Sequence, residues 1–198
     1  VGLRVLTPLL PRKTKSVLAS YLEREPIITP KYHWDMTDPL MSSEIIFGAG
    51  DMFRTGGAAG PGTLEQQWSV GAAQKNPMGP GQTDFLRVVQ GAQGTMGIVT
   101  WASVKLELMP SLQKSFFVTA SSPEEFDDLI DYAYTIMKPK LPDECLILNA
   151  ADFALIAGLR SADNLPSWIL LYTISGYEYF PEERVDYIEK DIADMTAR

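Results

Sequence analysis

The chain has 198 residues with a formal net charge of −8, 45% apolar and 21% charged side chains, an ordinary globular composition long enough to bury a core in one large domain or two small ones. That acidity excludes a nucleic-acid surface, which needs clustered Lys and Arg, and no apolar run approaches the roughly 20 residues that span a bilayer. The single cysteine, Cys145, rules out an intramolecular disulfide and fits a reducing compartment, the cytoplasm.

Residues 1–10 form a short apolar stretch interrupted by prolines and followed by Arg12, Lys13 and Lys15. From Thr14 the run Thr-Lys-Ser-Val-Leu-Ala-Ser-Tyr-Leu-Glu-Arg is predicted to make a short helix capped by Thr14 or Ser16. Residues 25–43 carry Glu-Pro, Thr-Pro and Asp-Pro steps and read as irregular loop. The only histidine, His33, lies there; it is a candidate base or a solvent-facing, loop-bracing side chain. A metal site is not expected, since no second His or Cys cluster accompanies it.

Residues 44–56 are predicted to form a hairpin, a Gly-Ala-Gly-Asp turn joining 44–47 to 52–55. Residues 56–83 are the most Gly- and Pro-rich part of the chain. A long loop of this kind is often a lid or binding loop, with Gln66, Gln67 and Trp68 as candidates to face a substrate; the other reading is an insertion particular to this chain.

Between Thr83 and Met109 three glycines, Gly91, Gly94 and Gly97, run directly into an apolar segment. Val104, Leu106 and Leu108 alternate with Lys105 and Glu107, the two-residue period of a half-buried strand, and Pro110 closes it. Gly tolerates positive φ and lets backbone approach a ligand closely, so such a turn offers bare N–H groups to a cofactor; from the glycines alone a structural tight turn is the commoner case. A strand follows these glycines, whereas the Rossmann fingerprint needs one before them and a helix after, and no Gly-Lys-Ser/Thr phosphate loop is present.

Beyond Pro110 the pattern changes. Residues 114–120 read as a strand, and Ser122-Pro123-Glu124-Glu125 is a capping box opening a helix with Phe126, Leu129, Ile130, Ala133 and Met137 on one stripe. Residues 145–150 and 168–174 read as two further strands, with Cys145 in the first as a buried, inert thiol. Pro181-Glu182-Glu183 opens a second amphipathic helix with Val185, Ile188, Ile192 and Met195 apolar. Strand, helix, strand, strand, helix is most of a ferredoxin-like α+β layer. No initiator Met is present and Arg198 falls inside a helical pattern, so both ends read as cuts in a longer protein.

The run Gly91-Ala92-Gln93-Gly94-Thr95-Met96-Gly97-Ile98-Val99-Thr100 resembles the Gly-Ser-Glu-Gly-Thr-Leu-Gly-Ile-Ile-Thr signature of FAD-linked oxidases of the vanillyl-alcohol oxidase/p-cresol methylhydroxylase superfamily. Asp84-Phe85-Leu86 resembles that family's lead-in. Glu44-Ile45-Ile46-Phe47 with Gly50-Asp51-Met52-Phe53-Arg54-Thr55-Gly56 resembles its upstream hairpin, in the family order. Leu18-Ala19-Ser20 stands where the family has a glycine-rich helix start packed near the flavin. The resemblance covers about residues 14–110.

What it implies is a non-Rossmann flavoprotein, α+β throughout. Residues 1–110 would be the C-terminal part of a PCMH-type FAD-binding domain, its second α+β subdomain, and residues 111–198 the start of a ferredoxin-like substrate (cap) domain. The absent N-terminal part would hold the main pyrophosphate-binding loop. FAD is the implied cofactor, with Gly91, Gln93, Gly94, Thr95, Gly97, Ile98 and Val99 at the positions of the family's second flavin-contacting loop; Gln93 stands where many relatives carry Glu. The same resemblance makes His33 a candidate for covalent flavin attachment and leaves the catalytic base unassigned. The implied activity is oxidation of a small hydroxylated substrate by hydride transfer to flavin. The form of the Gly-Thr-Met-Gly motif favours a 2-hydroxy acid such as glycolate or lactate, the reading preferred here; the alternative, a phenolic or aromatic alcohol, is favoured by the Arg54-Thr55-Gly56 hairpin with the Leu-Met-Pro ending at 108–110. The contrasting reading is a non-catalytic piece that binds FAD only with a partner subunit or a second copy.

Overall fold

The structure, a computed structural model, describes residues 2–8, 12–25, 38–78 and 83–197, so His33 and most of the 25–43 loop lie outside the described residues. The architecture is α+β with antiparallel sheets, and the chain changes from one compact unit to another between Glu107 and Leu108.

The first unit contains β1 (Leu3–Val5), α1 (Val17–Leu22), β2 (Leu40–Phe47), β3 (Met52–Arg54), α2 (Leu64–Ser69), α3 (Leu86–Val89), β4 (Gly97–Val104) and β5 (Leu106–Leu108). Its main sheet has the order β3-β2-β4, and β1 pairs with β5. The predicted hairpin is β2–β3, with Glu44 opposite Arg54 and Ile46 opposite Met52. Ile45 points the other way and is fully buried. Arg54 Nε donates to Glu44 Oε2 at 2.8 Å and Thr100 Oγ1 donates to Glu44 Oε1 at 2.8 Å, one carboxylate tying three strands. Those bonds, Arg54 first and then Thr100, hold the Glu44 carboxyl below its usual range.

Ser16 caps α1, its hydroxyl accepting from Ala19 N at 3.0 Å. The helix buries Tyr21 against Leu40 and Leu86, with Leu18, Leu22, Ala102 and Val104 packed around them. The predicted strand through Leu108 is interrupted at Lys105, whose N–H donates to Pro39 O, so it is two strands rather than one. The Gly/Pro-rich segment after β3 is also more ordered than its composition suggests. Thr63 and Gln66 form a capping box for α2. Gln67 is buried and donates to Ala58 O and Gly60 O, while Gln74 donates to Gln67 Oε1 at 3.0 Å and accepts from Trp68 Nε1. Gln66 and Gln67 thus brace the segment, and both also line a cavity of about 410 Å³ with Gly57, Gly60, Gly62 and Val70.

The second unit contains β6 (Leu112–Ala120), α4 (Pro123–Met137), β7 (Glu144–Asn149), α5 (Ala150–Ala157), β8 (Trp168–Gly176) and α6 (Pro181–Thr196). Its sheet order is β6-β8-β7, antiparallel throughout. The Ser122/Glu125 capping box forms with Pro123 in the first turn, as the sequence predicts. The buried stripe of α4 is Leu129, Ala133 and Ile136 with Phe126 beside it, whereas Ile130 and Met137 are exposed. Together with Val185 and Ile192 of α6 these side chains cover the sheet face carrying Leu170, Tyr172 and Ile174. Tyr172 lies at its centre, stacked on Phe116 at 5.1 Å and sharing a hydrogen bond with Tyr132 at 3.1 Å. Helix α5 was not anticipated: it is nearly apolar all round, which erases the helical period, although Asn149 and Gly158 cap its two ends.

Cys145 packs against this core, and burial raises its thiol from 9.0 to about 11. The folded chain therefore holds a proton that the unfolded chain releases, so this contribution is complete below pH 9 and is lost as pH rises toward 11. Burial, then the Tyr132 hydrogen bond, raises Tyr172 in the same direction from 10.0. We expect the urea midpoint to be level between pH 7 and 8.5 and to fall from pH 9 upward. Cys145→Ala should make that fall shallower; an unchanged slope would show that the thiol does not contribute.

Candidate functional site

The glycine run folds into a tight turn between α3 and β4. Gln93 and Gly94 take φ of 51° and 83°, and Thr95 N donates to Ala92 O at 2.9 Å, the mirror-image turn with both central residues left-handed. Thr95 Oγ1 also donates to Ala92 O, at 2.6 Å, so both Thr95 donors are spent inside the turn. Gly91 N donates to Leu22 O at 2.7 Å and ties the turn to the last residue of α1. Among the described residues the N–H groups of Gln93, Gly94 and Met96 have no acceptor.

This places the turn along one side of a groove of about 180 Å³, with Ala19, Leu22 and Glu23 opposite. Of the seven residues expected at the site, Gln93, Gly94, Gly97 and Val99 line it. Gly91 and Thr95 shape the turn from behind, and Ile98 points to the other face of β4, opposite Ile46 and 71% exposed. A side chain added at Gly94 would enter open space, so no protein neighbour accounts for its absence there. Gly97 differs: an added Cβ would lie 2.5 Å from Ile46 O, so that glycine serves the packing of β4 against β2.

Leu22, Glu23, Val89, Ala92 and Met96 also line the groove and were not singled out in the sequence. Ala92 and Met96 lie inside the glycine motif itself, so their spacing was a usable signal. Leu22 and Glu23 are some seventy positions away in the chain, and nothing local reports that meeting. Lys15 bonds both Glu23 and Glu25, which raises the Lys15 pKa, the Glu23 bond being the larger cause, and the Lys15 bond lowers that of Glu25.

A second cavity, about 210 Å³, is lined by Asp38, Asp84, Arg87 and Lys105 among others. Its charges answer one another: Arg87 Nη1 donates to Asp38 Oδ2 at 2.7 Å and Gln90 Nε2 to the same oxygen at 2.8 Å. It braces the entry to β2, and a third cavity, about 410 Å³, opens beside Gly60, Gln66, Gln67 and Val70; the groove at the glycine turn has unmet backbone donors among the described residues that line it. Among the described residues no cluster of His, Cys, Asp and Glu has a metal-holding arrangement, and no helix is long and apolar enough to cross a membrane. Bare amides, small residues and apolar walls are a donor set that fits one edge of a flavin.

No family model matches the chain and no curated protein matches it. Solved structures do. Substrate-bound p-cresol methylhydroxylase is similar over 90% of this chain with a TM-score of 0.62 and 18% identity. The 4-ethylphenol oxidase from Gulosibacter chungangensis, in its isoeugenol complex, is similar over 98% with a TM-score of 0.70 and 19% identity. An alkyldihydroxyacetonephosphate synthase is similar over 99% with a TM-score of 0.64 and 13% identity. At these identities what is shared is the fold, and it is the fold of the superfamily whose signature the glycine run resembles. The chain spans 36%, 38% and 34% of those three structures.

The turn makes its own stability predictions. Gly94→Ala, at φ 83°, should destabilise by about 1 kcal/mol, and Gln93→Gly, which relieves a left-handed non-glycine residue, should stabilise by about 0.5–1 kcal/mol. Gly97→Ala should cost more, about 2–3 kcal/mol, because β2 and β4 must part. Urea denaturation of the three variants measures the order, and Gly97→Ala as the mildest of the three would refute the packing role.

Proposed function

We propose that this chain is part of an FAD-dependent oxidoreductase, and that the groove between α1 and the 91–97 turn is one wall of its flavin site. The observation that carries the reading is the turn itself: three amides without acceptors, beside a left-handed glycine that leaves open space in front of them, in the motif that resembles the flavin-contacting loop. On this reading residues 1–110 are the C-terminal part of the FAD-binding domain. Residues 111–198, with strand order β6-β8-β7 under α4 and α6, begin a ferredoxin-like cap over the substrate.

FAD would supply the acceptor for the hydride removed from substrate. The work of these residues is to hold it: Gln93, Gly94 and Met96 donate backbone N–H bonds to the ring edge, and Leu22, Val89 and Val99 exclude water from its face. A groove of about 180 Å³ is below the roughly 300–1,000 Å³ of a complete ligand pocket, so the remainder of the site must come from elsewhere, whether more of the same protein or a partner subunit.

For the substrate we favour a 4-alkylphenol over a 2-hydroxy acid, the reverse of the balance struck from the sequence. Two of the three structural neighbours are named for cresol and ethylphenol chemistry, and none for glycolate or lactate.

Two measurements test this. The complete protein should show the visible flavin bands, and anaerobic addition of p-cresol or 4-ethylphenol should bleach them, with glycolate and D-lactate inert; bleaching by a hydroxy acid alone would reverse the substrate assignment. Gly94→Val should abolish flavin retention by blocking close approach of the backbone, and undiminished FAD content in a folded variant would remove the groove from the site.

A further inference from the structure

The groove carries one charged group, Glu23, and its placement is fixed by the fold. Its backbone N–H closes the end of α1 on Ala19 O and Tyr21 O, and the Gly91–Leu22 hydrogen bond sets the turn against that same helix end. Lys15 bonds Glu23 through Oε2, and among the described residues Oε1 has no partner. Lys15 is shared between Glu23 and Glu25, and Arg12 also acts on Glu25, so Glu23 keeps one carboxylate oxygen for a ligand. The same groove is lined by Gln93, Gly94 and Met96, whose N–H groups are unmet.

A row of bare amides alone would suit an anion such as phosphate, but a carboxylate facing the same small space repels one. What meets both sides is a neutral ring edge that accepts from the amides and donates to the carboxylate. The volume, about 180 Å³, takes a ring-sized part of a ligand, and the apolar side chains of Leu22, Val89 and Val99 suit its faces.

We infer that Glu23 is a ligand-binding residue that accepts the imide N–H of a dioxopyrimidine edge, whose two carbonyl oxygens accept from the turn amides. This rests on the flavin reading above and adds the orientation: the pyrimidine end of the isoalloxazine enters the groove, rather than the adenine or the phosphates.

The test compares lumiflavin with 3-methyllumiflavin, in which a methyl group replaces that N–H, by fluorescence quenching with the 198-residue chain. We expect lumiflavin to bind about tenfold or more tightly than its methylated analogue, the scale of a hydrogen bond to a charged acceptor. Glu23→Leu should remove the preference and Glu23→Gln, which keeps an acceptor oxygen, should retain part of it, with far-UV circular dichroism confirming that both variants fold. Should Glu23→Leu fail to fold, an undiminished preference in Glu23→Gln overturns the inference and a reduced one supports it. Equal binding of the two flavins by the unaltered chain, or a preference that survives Glu23→Leu, sinks the role of Glu23 and leaves the flavin reading standing. Displacement of lumiflavin by AMP at equal concentration overturns the dioxopyrimidine assignment, and absence of binding by either flavin overturns the inference that this groove by itself seats that ring edge, while the flavin reading is decided by the visible bands of the complete protein.

Discussion

The first unit depends on how closely β4 passes β2. Gly97 lies opposite Phe47, in a space where a β-carbon would meet Ile46 O, and this contact fixes where β4 begins. With the start of β4 set, the preceding turn has few places to go, and the Gly91–Leu22 hydrogen bond brings it against α1. The packing of Tyr21, Leu40 and Leu86 holds the helix in reach. A groove with bare amides is thus the by-product of ordinary strand packing plus one hydrogen bond between residues remote in sequence. Its geometry is borrowed from the core, which is how a site made of backbone groups gains rigidity without side chains of its own.

How much of this was legible follows from which signals are local. The β2–β3 hairpin, the Ser122 capping box and the glycine turn are written within a few residues each, and all three form. The α4 stripe was misjudged by one helical step, since Ile130 and Ile136 are equally apolar and only the tertiary neighbours decide that Ile136 is buried. The bulge between Glu44 and Ile45 in the β2–β4 pairing has no local mark, because it is a property of two strands. Within the site, Gln93 and Gly94 were readable from the motif, whereas Glu23 was not: its relevance exists only once Gly91 reaches Leu22. The order within the Gly/Pro-rich segment was hidden for a related reason. Its polar residues looked available, yet Gln67 and Gln74 bond each other and the nearby backbone.

The chain's acidity is unevenly placed, and this bears on what the groove can bind. Helix α4 alone carries Glu124, Glu125, Asp127, Asp128 and Asp131 and no basic residue. Only the first two benefit from the helix N-terminus; the others lie on a solvated face where like charges repel mildly. Those charges belong to the second unit, whereas the groove carries a single carboxylate, Glu23, whose ammonium counter-ion Lys15 it shares with Glu25. Net charge therefore says little about the ligand, and the local pairing of Glu23 with Lys15 says more.

Gln93 shows what this turn demands of a non-glycine residue. Four non-glycine residues among those described have positive φ, and three of them sit beside helix ends: Arg24 after α1, Lys140 after α4 and Phe180 before α6. There a left-handed residue is an ordinary consequence of stopping or starting a helix. Gln93 owes its conformation to the mirror-image turn, which needs positive φ at both central residues, although a second glycine or an asparagine would sit at 93 with less strain. A strained residue persists where its surroundings over-determine it, and here Thr95 does so by giving both its donors to Ala92 O. The effect is to leave the Gln93 and Gly94 amides without acceptors in the chain, among the described residues, while both residues line the groove, so the strain at 93 is held by Thr95 and the free donors stay with the turn.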